Sequence, residues 1–127
     1  MKPLILIVED NERNRKLVRT ILEFRGFDVA ECADGEPAIA LAKSRRPALI
    51  LMDIELPKLD GIAALQRLRA DAETAAIPVI AVTASVTPSQ RQRITTAGFD
   101  AYIAKPIDVE TFGETIQRLA GRAGASA

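Results

Sequence analysis

Short apolar runs recur along this chain, each followed by a longer charged segment, and that alternation restricts the fold more than anything else in the sequence. The runs cover residues 4–8, 29–33, 48–52, 79–82 and 101–104. All have strand length, and three lack polar alternation, as parallel strands covered on both faces do. The segments between them have helical spacing and readable ends. The first helix is expected to carry Leu17, Val18, Ile21 and Leu22 inward and to stop at Gly26, where a left-handed cap needs no Cβ. Thr87-Pro88-Ser89-Gln90 reads as a capping box with proline at the first helical position, and Gly98 closes that helix. Asp108 is the expected N-cap of a last helix that buries Phe112, Ile116 and Leu119. A chain of 127 residues fits one core, so we read residues 1–121 as one domain and the small, turn-rich stretch 122–127 as a flexible tail.

Regular βα alternation predicts a doubly wound parallel sheet with helices on both faces. Right-handed crossovers leave few topologies, and for five units the flavodoxin-like (βα)5 order 2-1-3-4-5 is the natural one. The 17 basic and 17 acidic side chains cancel, which argues against nucleic acid or an anionic membrane as a partner. No apolar run approaches a membrane span, and Leu4-Ile5-Leu6-Ile7-Val8 is too short for a signal-peptide core, so a cytoplasmic protein is expected. The single cysteine, Cys32, excludes an internal disulfide and suits a reducing compartment. The chain has no histidine, which removes Ser-His-Asp and Cys-His chemistry and the commonest zinc ligand. Chemistry here falls to carboxylates, hydroxyls and lysine.

Ligands of such sheets bind outside the carboxyl ends of the strands. Strand one ends in Glu9-Asp10, strand three in Asp53, strand four in Thr83 and strand five in Lys105-Pro106. These four strands are neighbours in the expected order, so their polar ends converge on one edge. Three clustered carboxylates repel unless a cation sits among them, and oxygen ligands with room for water suit Mg²⁺ better than Ca²⁺. That arrangement serves phosphoryl transfer to a carboxylate, where catalysis is mostly alignment and charge neutralisation. Asp53 is the expected nucleophile and Asp10, assisted by Glu9, the expected Mg²⁺ ligand. Lys105 is expected to contact a phosphoryl oxygen, and Thr83 to donate a hydrogen bond to the bound group. Taken singly, Asp10 is a helix N-cap, Thr83 a strand-end residue and Lys105 a solvated charge. Asp53 resists that treatment, because an acid at the mouth of a fully apolar strand is costly unless used. Their coincidence at adjacent strand ends favours the joint reading.

With those residues in view, the chain resembles the receiver domain of bacterial two-component response regulators from Leu4 to about Leu119. The motifs that carry the resemblance are Ile7-Val8-Glu9-Asp10-Asn11, Leu51-Met52-Asp53-Ile54-Glu55-Leu56-Pro57, Gly61, Ile77-Pro78-Val79-Ile80-Ala81-Val82-Thr83-Ala84 and Ala101-Tyr102-Ile103-Ala104-Lys105-Pro106. The stretch Glu9-Asp10-Asn11-Glu12-Arg13-Asn14, together with Ala101-Tyr102-Ile103, is similar to single-domain regulators of the DivK type, and receiver modules of hybrid kinases share it. The resemblance implies a phosphoacceptor at Asp53, a switch pair Thr83 and Tyr102, and Mg²⁺ held by Asp10, Asp53 and the main-chain carbonyl of Glu55. It implies a phosphohistidine donor on a histidine kinase or phosphotransfer protein. Glu55 and Ser85 then tune the phosphoryl lifetime. Output is expected through the face of helix four, strand five and helix five, although the polar helix four also reads as an ordinary solvated helix. The Lys105-Pro106 bond is a candidate for the cis isomer. In this reading the protein is a switch that catalyses only its own phosphorylation and dephosphorylation.

Three rivals remain. A flavodoxin-type carrier shares the fold, but Glu9-Asp10-Asn11-Glu12 repels a flavin phosphate. An aspartate-nucleophile phosphatase shares the chemistry but resembles a pattern with two aspartates one residue apart after strand one, which is missing here. The third is a receiver module excised from a hybrid histidine kinase or larger regulator, against which the initial methionine speaks mildly.

Overall fold

The computed structural model of the chain describes residues 2–54, 56, 60–84, 87–105 and 107–125, with side chains as far as residue 119. Among them, strands and helices alternate as β1 Leu4–Val8, α1 Glu12–Phe24, β2 Asp28–Cys32, α2 Gly35–Arg45, β3 Leu49–Asp53, α3 Gly61–Ala70, β4 Val79–Thr83, α4 Pro88–Ala97, β5 Ala101–Ala104 and α5 Val109–Ala125. The strands pair in parallel in the order β2-β1-β3-β4-β5, the doubly wound arrangement expected from the pattern. Among the described residues, no helix is long and apolar enough to cross a membrane.

Alternation along the central strands sorts the core into two layers. Leu6, Val8, Ile50, Met52, Val79 and Ala81 pack under α2, α3 and α4, against Ala38, Ala42, Leu65, Leu68 and Ile94. Ile5, Ile7, Leu49, Leu51, Ile80 and Val82 face the other way, against Val18, Ile21 and Leu22 of α1 and Phe112 and Ile116 of α5. Every residue of β3 and β4 is buried, which is why their sequences show no polar alternation. Each large apolar side chain so buried contributes roughly 1.5–3 kcal/mol.

Helix ends follow the expected chemistry. Thr87 caps α4 through the Gln90 amide, Gly98 takes a left-handed φ of 104°, and Asp108 Oδ1 accepts from the Thr111 amide. Gly26 (φ 91°) ends α1, with its amide on the Glu23 carbonyl and that of Phe27 on Leu22. Two expectations differ from the structure. Leu17 is 41% exposed, because it lies about a quarter-turn from the mean direction of Val18, Ile21 and Leu22. The backbone of α5 continues to Ala125 and so enters the stretch read as a tail, alanine and arginine there offsetting the cost of Gly121 and Gly124.

At the edge away from the strand C-termini, Arg69 ties several elements together. Its guanidinium donates to the carbonyls of Ala75 (3.0 Å), Ile77 (2.6 Å) and Gly98 (3.4 Å) and to Asp100 Oδ2 (2.9 Å). Asp100 Oδ2 in turn accepts from the Val79 amide at 2.8 Å.

Candidate metal centre

Register brings the site together. Val8 stands opposite Met52, so the next residues, Glu9 and Asp53, are neighbours. Asp53 pairs with Val82 and Thr83 with Ala104, which sets Lys105 one residue beyond the ladder. The strands begin or end one residue away from the apolar runs at β3 and β4, and this puts Asp53 and Thr83 inside the sheet. Glu9 and Asp53 are only 5% and 4% exposed, and Thr83 is fully buried. Gly61 packs against the end of β3: its amide donates to the Ile54 carbonyl at 3.0 Å, and a Cβ there would stand 2.6 Å from the Asp53 carbonyl oxygen.

Lys105 Nζ lies 2.8 Å from Asp53 Oδ2 and 2.9 Å from Glu9 Oε1. Burial works against its charge, yet the hydrogen bonds it donates to Asp53 and Glu9 raise its pKa. Burial also pushes the Glu9 carboxyl up to about 7, helped by the hydrogen bond it shares with Asp53, while Lys105 pulls the other way. One ammonium cannot neutralise three acids. One carboxylate oxygen from each of Glu9, Asp10 and Asp53 lies within 4.8 Å of the other two, Asp10 on the solvent side. Opposite ligands of an octahedral Mg²⁺ stand about 4.2 Å apart, so an all-oxygen group of this size suits a small hard cation. The N-cap of α1 is Asn11, whose side chain accepts from the Asn14 amide, so the capping role that Asp10 alone suggested belongs to its neighbour.

The sequence-derived set therefore divides. Glu9, Asp10, Asp53 and Lys105 come together, and Thr83 is buried at the adjoining strand end. Tyr102 sits on β5, packed against the layer under α2–α4, with its hydroxyl accepting from Arg91 Nε at 2.7 Å and the guanidinium 5.7 Å from the ring centroid. Glu55, Ser85 and Pro106 lie outside the described residues. Sequence reasoning missed Asn14 and Arg15. Asn14 Nδ2 donates to Glu9 Oε1 at 3.2 Å, and Arg15 Nη1 donates to the carbonyls of Glu9 (2.9 Å) and Asp10 (3.3 Å). The available signal was their place in the first turn of the helix that follows the acidic pair.

A buried acid at the end of β3, a lysine reaching it from beyond β5 across the end of β4, an acidic pair beside them and this strand order define a receiver. Residues 5–117 match the response regulator receiver domain, and the chain belongs to that family. It is similar to the polar-differentiation response regulator DivK of Brucella anthropi, with 45% identity over 97% of this chain and all of that protein. DivK of Brucella ovis is 44% identical over the same shares. Among solved structures, the receiver domain of a sensor histidine kinase from Pseudomonas aeruginosa PAO1, which holds a magnesium ion in its active-site cleft, superposes with a TM-score of 0.88 and 36% identity, covering 95% of this chain and 99% of that one. A CheY-like receiver from Methanospirillum hungatei matches with a TM-score of 0.89 and 27% identity over the full length of both chains.

Proposed function

We propose that this receiver accepts a phosphoryl group on Asp53 from a phosphohistidine of a histidine kinase or phosphotransfer protein, in a Mg²⁺-dependent reaction. The observation that carries this reading is the buried Asp53 carboxylate, held by Lys105 at 2.8 Å beside the acidic pair. An Asp53 carboxylate oxygen attacks phosphorus, an O–P bond forms, the P–N bond breaks and the imidazole leaves with its electron pair. Glu9, Asp10 and Asp53, with the Glu55 carbonyl that the family resemblance adds, would hold Mg²⁺. When bound, that ion supplies neutralisation of phosphoryl-oxygen charge. Lys105 moves from Asp53 Oδ2 to a phosphoryl oxygen, where its charge matters most as the loose transition state spreads charge over those atoms. Thr83 donates to another, and its inward movement opens space on the Tyr102 side of β5. Output through the α4–β5–α5 face is supported by the contact between Arg91 of α4 and the Tyr102 hydroxyl, which joins the switch position to that surface. The chain works in this reading as a stand-alone switch. The same chemistry serves a receiver module of a larger kinase or regulator.

Incubation with a small phosphodonor and Mg²⁺, followed by intact mass, tests the proposal. One phosphoryl adduct is expected, absent in Asp53→Asn and after chelation. An adduct that persists in Asp53→Asn moves the site elsewhere.

A further inference from the structure

Three donors hold the Glu9 carboxylate. Lys105 Nζ and Asn14 Nδ2 reach Oε1 at 2.9 and 3.2 Å, and the Asn11 amide reaches Oε2 at 3.3 Å. Lys105 is committed elsewhere during phosphoryl transfer, since it serves Asp53 and then the phosphoryl group. The hold on Glu9 then falls to the first turn of α1. The main chain of the acidic pair is secured separately. Arg15 Nη1 takes both the Glu9 and Asp10 carbonyls, and Arg15 Nε lies 3.9 Å from Glu31 Oε1 on β2. The carbonyls that leave β1 and enter α1 are thereby tied to the neighbouring strand through one guanidinium.

We infer that Asn14 and Arg15 are positioning residues for the metal carboxylates, Asn14 through the Glu9 side chain and Arg15 through the backbone that carries Glu9 and Asp10. The inference rests on the proposed Mg²⁺ site and names what sets its affinity. Partners behind a ligand shell typically govern metal affinity about 10-fold or more, because they fix ligand orientation before the ion arrives. The side-chain bonds of both residues run to Glu9, Asp10 and Glu31, so their effect belongs to ion binding and not to the transfer itself.

The test is Mg²⁺ affinity by isothermal titration calorimetry on the full chain, for wild type, Asn14→Ala, Arg15→Met, Arg15→Lys and Arg19→Met. Arg19 is the control: it pairs with Glu31 and Glu23, from the same helix as Asn14 and Arg15. Asn14→Ala and Arg15→Met are expected to bind Mg²⁺ about 10-fold more weakly. Arg15→Lys should fall between wild type and Arg15→Met, and Arg19→Met should match wild type. At saturating Mg²⁺ the phosphorylation rate of both weakened variants should return to within about twofold of wild type, an outcome that general loss of structure does not give. Wild-type affinity in both Asn14→Ala and Arg15→Met, or an equal loss in Arg19→Met, overturns the inference. A wild-type protein that is phosphorylated on Asp53 while the variants bind Mg²⁺ normally overturns this inference alone. A wild type that binds no Mg²⁺ overturns the functional reading and this inference with it.

Discussion

Glu9 is a carboxyl that burial holds up at about 7, far above its ordinary 4.5. Its folded form therefore binds a proton more tightly than its unfolded form does. The sign follows from linkage: the contribution of this group to stability is complete below about pH 4.5 and is lost as pH rises through about 7. In chelated protein, the thermal midpoint should carry a falling component between about pH 4.5 and pH 7 that Glu9→Gln abolishes. Mg²⁺ should flatten the same slope, because the ion takes the place of the proton, and its apparent affinity should weaken as pH drops through that window. Differential scanning calorimetry across pH, with and without Mg²⁺, measures both effects. An identical slope in Glu9→Gln contradicts them.

At the scale of elements, two glycines separate backbone conformation from crowding. Gly98 needs its left-handed φ of 104° but has open space where a Cβ would stand, whereas Gly61 would drive a Cβ to 2.6 Å from the Asp53 carbonyl and 2.9 Å from Ile54 Cα. Gly98→Ala should cost about 1 kcal/mol in urea unfolding and leave Mg²⁺ affinity alone. Gly61→Ala should weaken Mg²⁺ binding as well, since the end of β3 or the start of α3 has to give way. Equal Mg²⁺ affinity in the two variants removes Gly61 from the support of Asp53. This contrast also marks what could be read beforehand. The apolar runs located the strands to within a residue, and strand order then gathered Glu9, Asp10, Asp53 and Lys105 without any knowledge of side-chain contacts. The capping signals at Thr87, Gly98 and Asp108 were local and equally readable. The guanidinium contacts of Arg15, Arg69 and Arg91 were not, because a long flexible side chain picks its partners only after the elements have docked. Leu17 failed for a related reason: a residue at the border of a helical stripe is buried or exposed according to what packs alongside it.

For the molecule as a whole, the two edges of the sheet are held in different ways. The C-terminal edge gathers the charges of Glu9, Asp10, Asp53 and Lys105, among which the proposed reaction would place an ion and a phosphoryl group. The opposite edge is fastened by Arg69, which grips the carbonyl of Gly98 at the end of α4 and Asp100 at the start of β5. Ile94 and Phe99 are buried at that same end, whereas Ser89, Arg91, Gln92 and Arg93 stand in solvent. Helix α4 is thus a cantilever, clamped at its foot and exposed at its tip. In the proposed switch, a displacement of Thr83 would move the Pro88 end farther than the held end, and a partner that grips the Pro88 end would read that displacement. Amide exchange should accordingly be fastest over 89–92 and slowest over 97–100, and Arg69→Ala, by loosening the clamp, should level the gradient.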